Sequence, residues 1–210
     1  MAEKMLVTEG LNELKLLDSR IEKTINNSSF VAGAKKVDKN VRPSLSKEDF
    51  NSKAKADYDS VLDLIARRAK IKAAIVASNA VTTVKVGETT MTVAEAIERK
   101  SSINYEVMLC QKLLRDYTSA QQSVVQHNYD VDESIEALVT TAYGKESKQS
   151  IKPEDYEAIA KPYKEANEWA LEDPVSANDV AVKLEAEIDD FKSNVDSALQ
   201  ISNCTTYIEF

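Results

Sequence analysis

The sequence contains very little glycine and proline, with four residues of each among 210. Aromatic residues make up only 6% of the chain. Sandwiches and barrels need many turns, so this scarcity argues against both and favours long helices. Hydrophobic residues make up 43% and charged residues 30%, which is typical of a folded chain with an apolar core. We therefore predict a mainly α fold.

Long apolar runs and an excess of basic charge are also absent. No run of about 18 apolar residues occurs, so we expect no membrane-spanning helix and no membrane partner. The first residues lack a basic segment followed by an apolar stretch, so we expect no signal peptide and a cytoplasmic location. The net charge of −8 disfavours a nucleic acid polymer as partner, because that binding needs many phosphate-neutralising cations.

Residues that carry common enzyme chemistry are scarce. His127 is the only histidine, and Cys110 and Cys204 are the only cysteines. Without spaced Cys and His residues we expect neither a disulfide framework nor a zinc site. No Walker loop and no G-x-G-x-x-G sequence occurs, and the 35 acidic residues are interpreted as a solvated surface. We expect no enzyme activity, no metal and no cofactor, although an enzyme that uses scattered carboxylates stays as a weaker alternative.

Apolar residues recur every three or four positions in three long segments, which predicts helices over residues 7–25, 46–76 and 92–125. Two long helices joined by one loop are expected to pack antiparallel. Capping sequences mark the start of the second and third helices; they are Ser46-x-x-Asp49 and Thr92-x-x-Glu95.

Between the second and third helices the apolar period changes from 3.6 to 2. VTTVKV and TTMTV flank Gly87-Glu88, which predicts a hairpin over residues 81–93 with a type II′ turn. SNCTTYI near the C-terminus is similar to SNAVTTV at the end of the second helix, and it is again rich in β-branched residues. A lone hairpin is marginal in water, whereas three strands backed by helices can be stable. We therefore predict that a C-terminal strand, residues 204–209, joins the hairpin in a three-stranded β-element.

The segment over residues 122–172 is the least regular part of the chain. A short helix is predicted from Asp132 to Gly144, and another begins at Pro153, since proline is favoured at the first helical position. A last long helix begins at Ser176. We assign the whole chain to a single helical domain in which this segment is an inserted helical subregion.

Three blocks, about half of the chain, stand out together: LNELKLLDSRIEKTI, SNAVTTVKVGETTMTVAEAIERKSSI and the C-terminal NCTTYIEF. They resemble the septicolysin-like bacterial proteins. The resemblance rests on an asparagine-threonine strand, a T-x-x-E-A helix start followed by arginine, and an Asn-x-Thr-Thr strand at the C-terminus. It implies a helical body with a small β-element and oligomerisation through long helices, but no established chemistry. Residues 122–172 depart from the family pattern.

The loop over residues 33–47 carries five basic residues and one acid in a chain of net charge −8. It is interpreted either as a solvated linker or as a lid that holds an anionic ligand, because Lys and Arg are the side chains that bind phosphate. The candidate ligand-binding residues of this loop are Lys35, Lys36 and Arg42.

Threonines are concentrated in the predicted β-element. β-Propensity alone would explain them. The alternative is a hydroxyl-lined surface beside the start of the third helix, which would bind an anionic or nucleotide-like ligand. Arg99 is placed two turns into that helix, and Tyr207 could stack on a base. The candidate ligand-binding residues of the β-element are Thr82, Thr83, Thr92, Arg99, Thr205, Thr206 and Tyr207.

Two functions of different classes fit these features. The first is a non-enzymatic homo-oligomer that sequesters a small phosphate-bearing or nucleotide-type ligand where helix ends meet the β-element. For a bacteriophage protein, capture of a nucleotide immune signal would be a natural use of such a site. The second is a structural or interaction protein that assembles through its long helices and binds no small ligand.

Overall fold

The computed structural model describes residues 3–144 and 152–210. Within them the fold is mainly α, as predicted, with short antiparallel strand pairs between helices. The helices are α1 (Val7–Asn27), α2 (Lys47–Val81), α3 (Val93–Tyr143), α4 (Pro153–Asn167) and α5 (Ala177–Thr205). The strands are β1 (Lys4–Leu6), β2 (Asn40–Arg42), β3 (Leu45–Ser46), β4 (Thr83–Val86), β5 (Thr89–Thr92) and β6 (Tyr207–Glu209).

The described residues divide into two compact units. The first contains residues 3–101 and 190–210, and the second contains residues 102–189. Helices α3 and α5 each contribute to both units. The predicted inserted subregion, residues 122–172, falls within the second unit, and its residues 145–151 lie outside the described residues.

Helices α1 and α2 pack antiparallel and enclose one buried apolar cluster of the first unit. Gly10 lies at their close approach: a Cβ built there would be 3.1 Å from Ile208 Cδ1 and 3.3 Å from Ile75 Cδ1. Burying each aliphatic side chain of this kind contributes about 1.5–3 kcal/mol relative to exposure. The buried cluster comprises Val7, Leu14, Leu17, Ile71, Ile75 and Ile208.

Ion pairs join α2 to α1, and also to Glu3 just before β1, at the edge of this core. Arg67 contacts Glu13 and lies 2.9 Å from a carboxylate oxygen of Glu3, and Arg68 contacts Asp18. The hydrogen bond and charge of Arg67 lower the pKa of Glu3, and the hydrogen bond from Arg68 lowers the pKa of Asp18. These acids are solvent-exposed, so the ion pairs fix orientation more than they stabilise the fold.

The hairpin between α2 and α3 is confirmed. β4 pairs with β5 in a register that places Val86 opposite Thr89. Gly87 has φ of +57°, whereas Glu88 is not among the residues of positive φ, which is the pattern of a type II′ turn. The Glu88 N–H donates to the carboxylate of Asp190 at 3.2 Å, so the turn is held against α5.

The predicted three-stranded β-element is wrong. β6 pairs with β1, with Met5 opposite Ile208, and β4 pairs only with β5. The side chain of Ile208 is buried in the core between α1 and α2, and this apolar contact places the strand there. The strand also begins at Tyr207, later than predicted, because Thr205 is still helical and its hydroxyl donates to the Ile201 carbonyl at 2.9 Å.

Helix α3 is continuous from Val93 to Tyr143, so the predicted end near residue 125 is wrong, as is a new helix at Asp132. No glycine or proline interrupts this segment, and the apolar stripe continues through the buried side chains of Val131, Ile135 and Val139. Its predicted end at Gly144 is confirmed, where φ of +81° gives the left-handed conformation of a helix C′ residue.

Helix α4 packs on the C-terminal part of α3 in the second unit. It begins at Pro153, as predicted, with Glu154 and Asp155 in its first turn. Helix α5 begins after Ser176, where the Asp173 carboxylate accepts the Ala177 N–H at 2.8 Å. The cluster between α3 and α4 contains Val131, Ile135, Val139, Tyr156, Ile159, Ala160 and Tyr163.

Two helix–strand junctions in the first unit are built in the same way. At the end of α2 the Thr82 amide donates to the Ser78 carbonyl at 2.9 Å, and the two hydroxyls lie 3.4 Å apart. At the end of α5 the Thr206 amide donates to the Ser202 carbonyl at 2.9 Å, and the two hydroxyls lie 3.5 Å apart. The likeness of SNAVTTV and SNCTTYI in the sequence therefore reflects a repeated local structure.

The repeat continues into the helices that follow. The Thr82 carbonyl accepts the N–H of Val93, the first residue of α3, at 2.8 Å. The Thr206 carbonyl accepts the N–H of Val7, the first residue of α1, at 2.9 Å. The sequences at these starts also match, as MLVTEG over residues 5–10 and MTVAEA over residues 91–96.

The chain therefore contains one β-α-α-β pattern twice, as β1-α1-α2-β4 and β5-α3-α5-β6, with α4 added to the second copy. The four strands of this pattern pair between the copies, β1 with β6 and β4 with β5, whereas β2 and β3, which lie between α1 and α2, pair with each other. We call β4–β5 the internal strand pair and β1–β6 the terminal strand pair. Their registers correspond: Val84 opposite Met91 in one matches Ile208 opposite Met5 in the other.

Candidate functional site

A shallow groove of about 300 Å³ lies beside the internal strand pair and the end of α5. Four of the predicted ligand-binding residues line it: Thr82 and Thr83 from one junction, and Thr205 and Thr206 from the other. We call this the hydroxyl groove. Its complete lining is Thr82, Thr83, Val84, Lys85, Ala198, Ile201, Ser202, Thr205 and Thr206.

Most of the hydroxyl groups that line the groove already have partners within the protein. Thr205 donates to the Ile201 carbonyl, and the hydroxyls of Ser202 and Thr206 lie 3.5 Å apart. Sequence reasoning missed Lys85 and Ser202 as lining residues. The signal for Lys85 was its outward position in the alternating strand, beside the buried Val84. The groove can therefore take a small polar molecule beside one cationic side chain, but it holds no cluster of cations.

Thr92 is committed to capping α3. Its amide donates to the Glu95 carboxylate at 2.7 Å, and the Glu95 amide donates to the Thr92 hydroxyl at 3.1 Å, which confirms the predicted capping box. The hydrogen bonds from the Thr92 backbone and side chain lower the pKa of Glu95. The same carboxylate position is filled at α1, where the Leu6 amide donates to Glu9 at 2.8 Å. A helix N-terminus that already holds its own carboxylate offers little to an external anion.

Arg99 and Tyr207 are directed to other contacts. The Arg99 guanidinium lies over the ring of Phe191 on α5, 5.0 Å from its centroid. The ring of Tyr207 is exposed, and the ammonium of Lys4 lies 5.0 Å from its centroid. Neither residue lines the hydroxyl groove. Their candidate roles as anion grip and stacking platform at that groove are therefore not supported by their placement.

The basic loop forms a small hairpin of its own. β2 pairs with β3, and the Lys47 amide donates to the Lys39 carbonyl at 2.9 Å. The Lys47 ammonium donates to the carbonyls of Lys35 and Lys36 at 2.7 and 3.3 Å. The side chains of Lys35, Lys36 and Arg42 do not line the hydroxyl groove.

His127 in the second unit stacks on Trp169, with ring centroids 3.8 Å apart. Asn128 holds the tryptophan backbone through two hydrogen bonds, at 2.8 Å to its amide and 2.9 Å to its carbonyl. This arrangement anchors the segment after α4, and it gives His127 a packing role.

Among residues 3–144 and 152–210, no group of three or more His, Cys, Asp or Glu side chains is placed to hold a metal ion. Of the helices in this part of the chain, none combines the length and apolarity needed to cross a bilayer. Cys110 is buried and lies 3.5 Å from the Ala181 carbonyl, whereas Cys204 is exposed.

Comparison with protein families, with characterised proteins and with solved structures found no match to this chain. The resemblance to septicolysin-like proteins therefore stays a prediction. Arguments about function rest on the residues and geometry described above.

Proposed function

We propose that this chain is a non-enzymatic assembly protein that associates with copies of itself through its long helices. The observation that carries the proposal is the distribution of apolar side chains in the described residues. Twenty-four large hydrophobic side chains are exposed, against 22 buried hydrophobic residues. Single exposed apolar residues are normal on any protein, whereas aligned groups of them mark interaction surfaces.

Some of the exposed side chains are aligned on helix faces. Leu62, Ile65 and Val76 follow one face of α2, and Tyr105 and Met108 are one turn apart on α3. Helix α2 thus has two apolar faces, one buried against α1 and one open to solvent. An amphipathic helix of a monomer needs only the first of these faces.

Self-association is tested by sedimentation velocity over a hundredfold range of protein concentration. We expect a species heavier than the 23.3 kDa chain, whose proportion rises with concentration. A single species of monomer mass at every concentration would contradict the proposal.

Capture of a small ligand in the hydroxyl groove is a second candidate function, favoured by the convergence of four predicted threonines there. The volume of about 300 Å³ is at the lower end of the range for small-molecule sites. Lys85 would supply the positive charge for a phosphate group, in place of the basic loop proposed from the sequence. The role of Lys35, Lys36 and Arg42 in holding an anion stays a prediction.

Native mass spectrometry of protein purified from cells tests the second candidate. We expect an extra mass of several hundred daltons per subunit, lost on denaturation and absent from Lys85→Ala and Thr206→Val. Thr118→Val, which replaces an exposed threonine on α3 outside the groove, is the matched control and should keep the extra mass. Protein without added mass, even after incubation with a nucleotide extract, would rule out this candidate and leave self-assembly unaffected.

A further inference from the structure

Acidic and basic residues are divided unequally between the two compact units. The second unit, residues 102–189, contains 18 acids and 8 bases, which gives a net charge of −10. The remaining residues contain 17 acids and 19 bases, which gives a net charge of +2. Such an asymmetry of charge within one chain favours contacts between unlike parts of neighbouring copies.

Basic charge in the first unit is concentrated in the connection between α1 and α2. We call residues 33–47 the basic hairpin. The Lys47 ammonium donates to two carbonyls of this segment and so holds its shape. Val37, among the bases, is 89% exposed and offers an apolar contact. Four basic side chains of the hairpin are exposed, and none of them forms an ion pair with another described residue: Lys35, Lys36, Lys39 and Arg42.

Two adjoining depressions in the second unit are lined mainly by acids. One, of about 430 Å³, lies along α3 and contains the exposed ring of Tyr129. The other, of about 290 Å³, lies between α3 and α4, and Asp132 lines both. Two bases, Lys161 and Lys164, also line the second depression, and Lys164 lies 3.8 Å from Glu168. We call the two depressions the acidic groove; its acids are Asp132, Glu133, Glu136, Glu157, Glu165 and Glu168.

The acidic groove has the chemistry that holds a Lys or Arg side chain. The Tyr129 hydroxyl donates to the Glu133 carboxylate at 3.0 Å. This hydrogen bond and the charges of Glu133 and Asp130 raise the pKa of Tyr129, as expected where the local potential is negative. An exposed tyrosine ring attracts a cation to its face, and neighbouring carboxylates accept hydrogen bonds from it.

We propose that the basic hairpin of one copy of the chain binds the acidic groove of a second copy. This proposal rests on self-assembly as the proposed function and names the charged surfaces that direct it. The two surfaces carry opposite charge on the same chain, so a second copy supplies a complete partner. Opposite charges attract the surfaces before contact, and the long basic side chains then reach the carboxylates and the Tyr129 ring.

This contact joins two different surfaces, so it does not close on itself. After one contact has formed, the first copy still presents its acidic groove and the second copy still presents its basic hairpin. Addition of further copies therefore gives a ring or an open chain. The proportion of large species should fall as salt is added, because salt screens contacts between exposed charges.

Sedimentation velocity in low salt and in about 1 M salt tests the role of charge. The Debye length at about 1 M is about 3 Å, so we expect the association constant to fall by about tenfold or more. Reversal of the hairpin charges in Lys36→Glu/Lys39→Glu/Arg42→Glu should have the same effect in low salt.

The control for the hairpin variant is Lys15→Glu/Lys183→Glu/Lys192→Glu. It makes the same change of net charge at exposed positions outside both surfaces, so it should associate like the wild type. Helical circular dichroism of each variant should match the wild type.

A mixture of two defective variants tests which surfaces pair. Glu133→Lys/Glu157→Lys/Glu165→Lys reverses the acidic groove and should associate as weakly by itself as the hairpin variant. In the mixture, each reversed hairpin meets a reversed groove and each unchanged hairpin meets an unchanged groove. Association should therefore return to within about threefold of the wild type, which a contact within one chain could not produce.

The outcomes separate this interface from the proposed function. If the wild type associates but hairpin reversal has no effect, self-assembly stands and this interface is wrong. If the two defective variants do not recover on mixing, the acidic groove is not the partner of the hairpin. A wild type that is monomeric throughout would overturn both proposals, and its binding to vesicles of equal parts phosphatidylserine and phosphatidylcholine would then assign the hairpin to a membrane surface.

Discussion

At the scale of single residues, the repeated structure allows Gly10 in α1 to be compared with its equivalent in α3. Gly10 occupies the position in α1 that Ala96 occupies in α3, five residues after a matching methionine. Ala96 is completely buried, so the repeated structure accommodates a Cβ at this point. At Gly10 the nearest atoms are the terminal methyl groups of Ile208 and Ile75, which can shift by a few tenths of an ångström.

We therefore predict that Gly10→Ala stabilises the protein by up to about 1 kcal/mol, the difference in helix propensity between the two residues. Gly10→Leu should destabilise it by about 1–3 kcal/mol, because the added atoms overpack the same contact. Denaturant unfolding followed by circular dichroism measures both changes. A stability loss in Gly10→Ala as large as that in Gly10→Leu would show that the close approach cannot relax.

At the scale of elements, the capping box at the start of α3 makes a contribution to stability that depends on pH. The pKa of Glu95 is lowered in the folded state, mainly by hydrogen bonds from Thr92. Its contribution to stability is therefore complete above the ordinary carboxylate pKa of 4.5 and is lost as the pH falls through the lowered folded value.

Thermal unfolding of Glu95→Gln between pH 7 and pH 2 tests this effect. The variant should have a lower Tm than the wild type at pH 7, and the difference should shrink below about pH 4.5 as the wild-type carboxylate becomes protonated. Glu22→Gln, on an exposed face of α1, is the control and should follow the wild type throughout. A constant Tm difference across the range would mean that the cap does not depend on the charge of Glu95.

The elements that could be predicted from sequence are those specified by neighbouring residues. The cap at Thr92 and the turn at Gly87 need only a few adjacent side chains, and both are confirmed. The terminal strand pair joins residues about 200 positions apart through strands of three residues, which are too short to show a period. The contact of Arg99 with Phe191 is also tertiary, so helix position alone could not indicate where its guanidinium lies.

At the scale of the whole molecule, the repeated β-α-α-β pattern predicts that the chain can be connected differently. The Glu3 amide donates to the Phe210 carbonyl at 3.0 Å, so the ends of the terminal strand pair are adjacent. A circular permutant would join Phe210 to Glu3 by a Gly-Glu linker and open the chain between Gly87 and Glu88.

We expect this permutant to fold, with the helical content of the parent and a Tm within a few degrees of it. Circular dichroism and thermal unfolding provide the measurement. As a matched control, a permutant opened within α1 after Leu14 should be strongly destabilised, because it interrupts a core helix. Equal loss of structure in both permutants would show that the two strand pairs are not interchangeable.

The two strand pairs have equivalent local structures, but we expect them to form at different times during folding. The internal strand pair closes a loop of two residues, whereas the terminal pair must bring together ends separated by about 200 residues. Loop-closure entropy in a flexible chain then costs about 4 kcal/mol more for the terminal pair. Two local structures of matching register thus differ mainly in the entropy of the chain between them. The internal pair should form early in folding and position α2 and α3. The terminal pair should form last, after α1 and α2 have packed together and Ile208 can be buried between them.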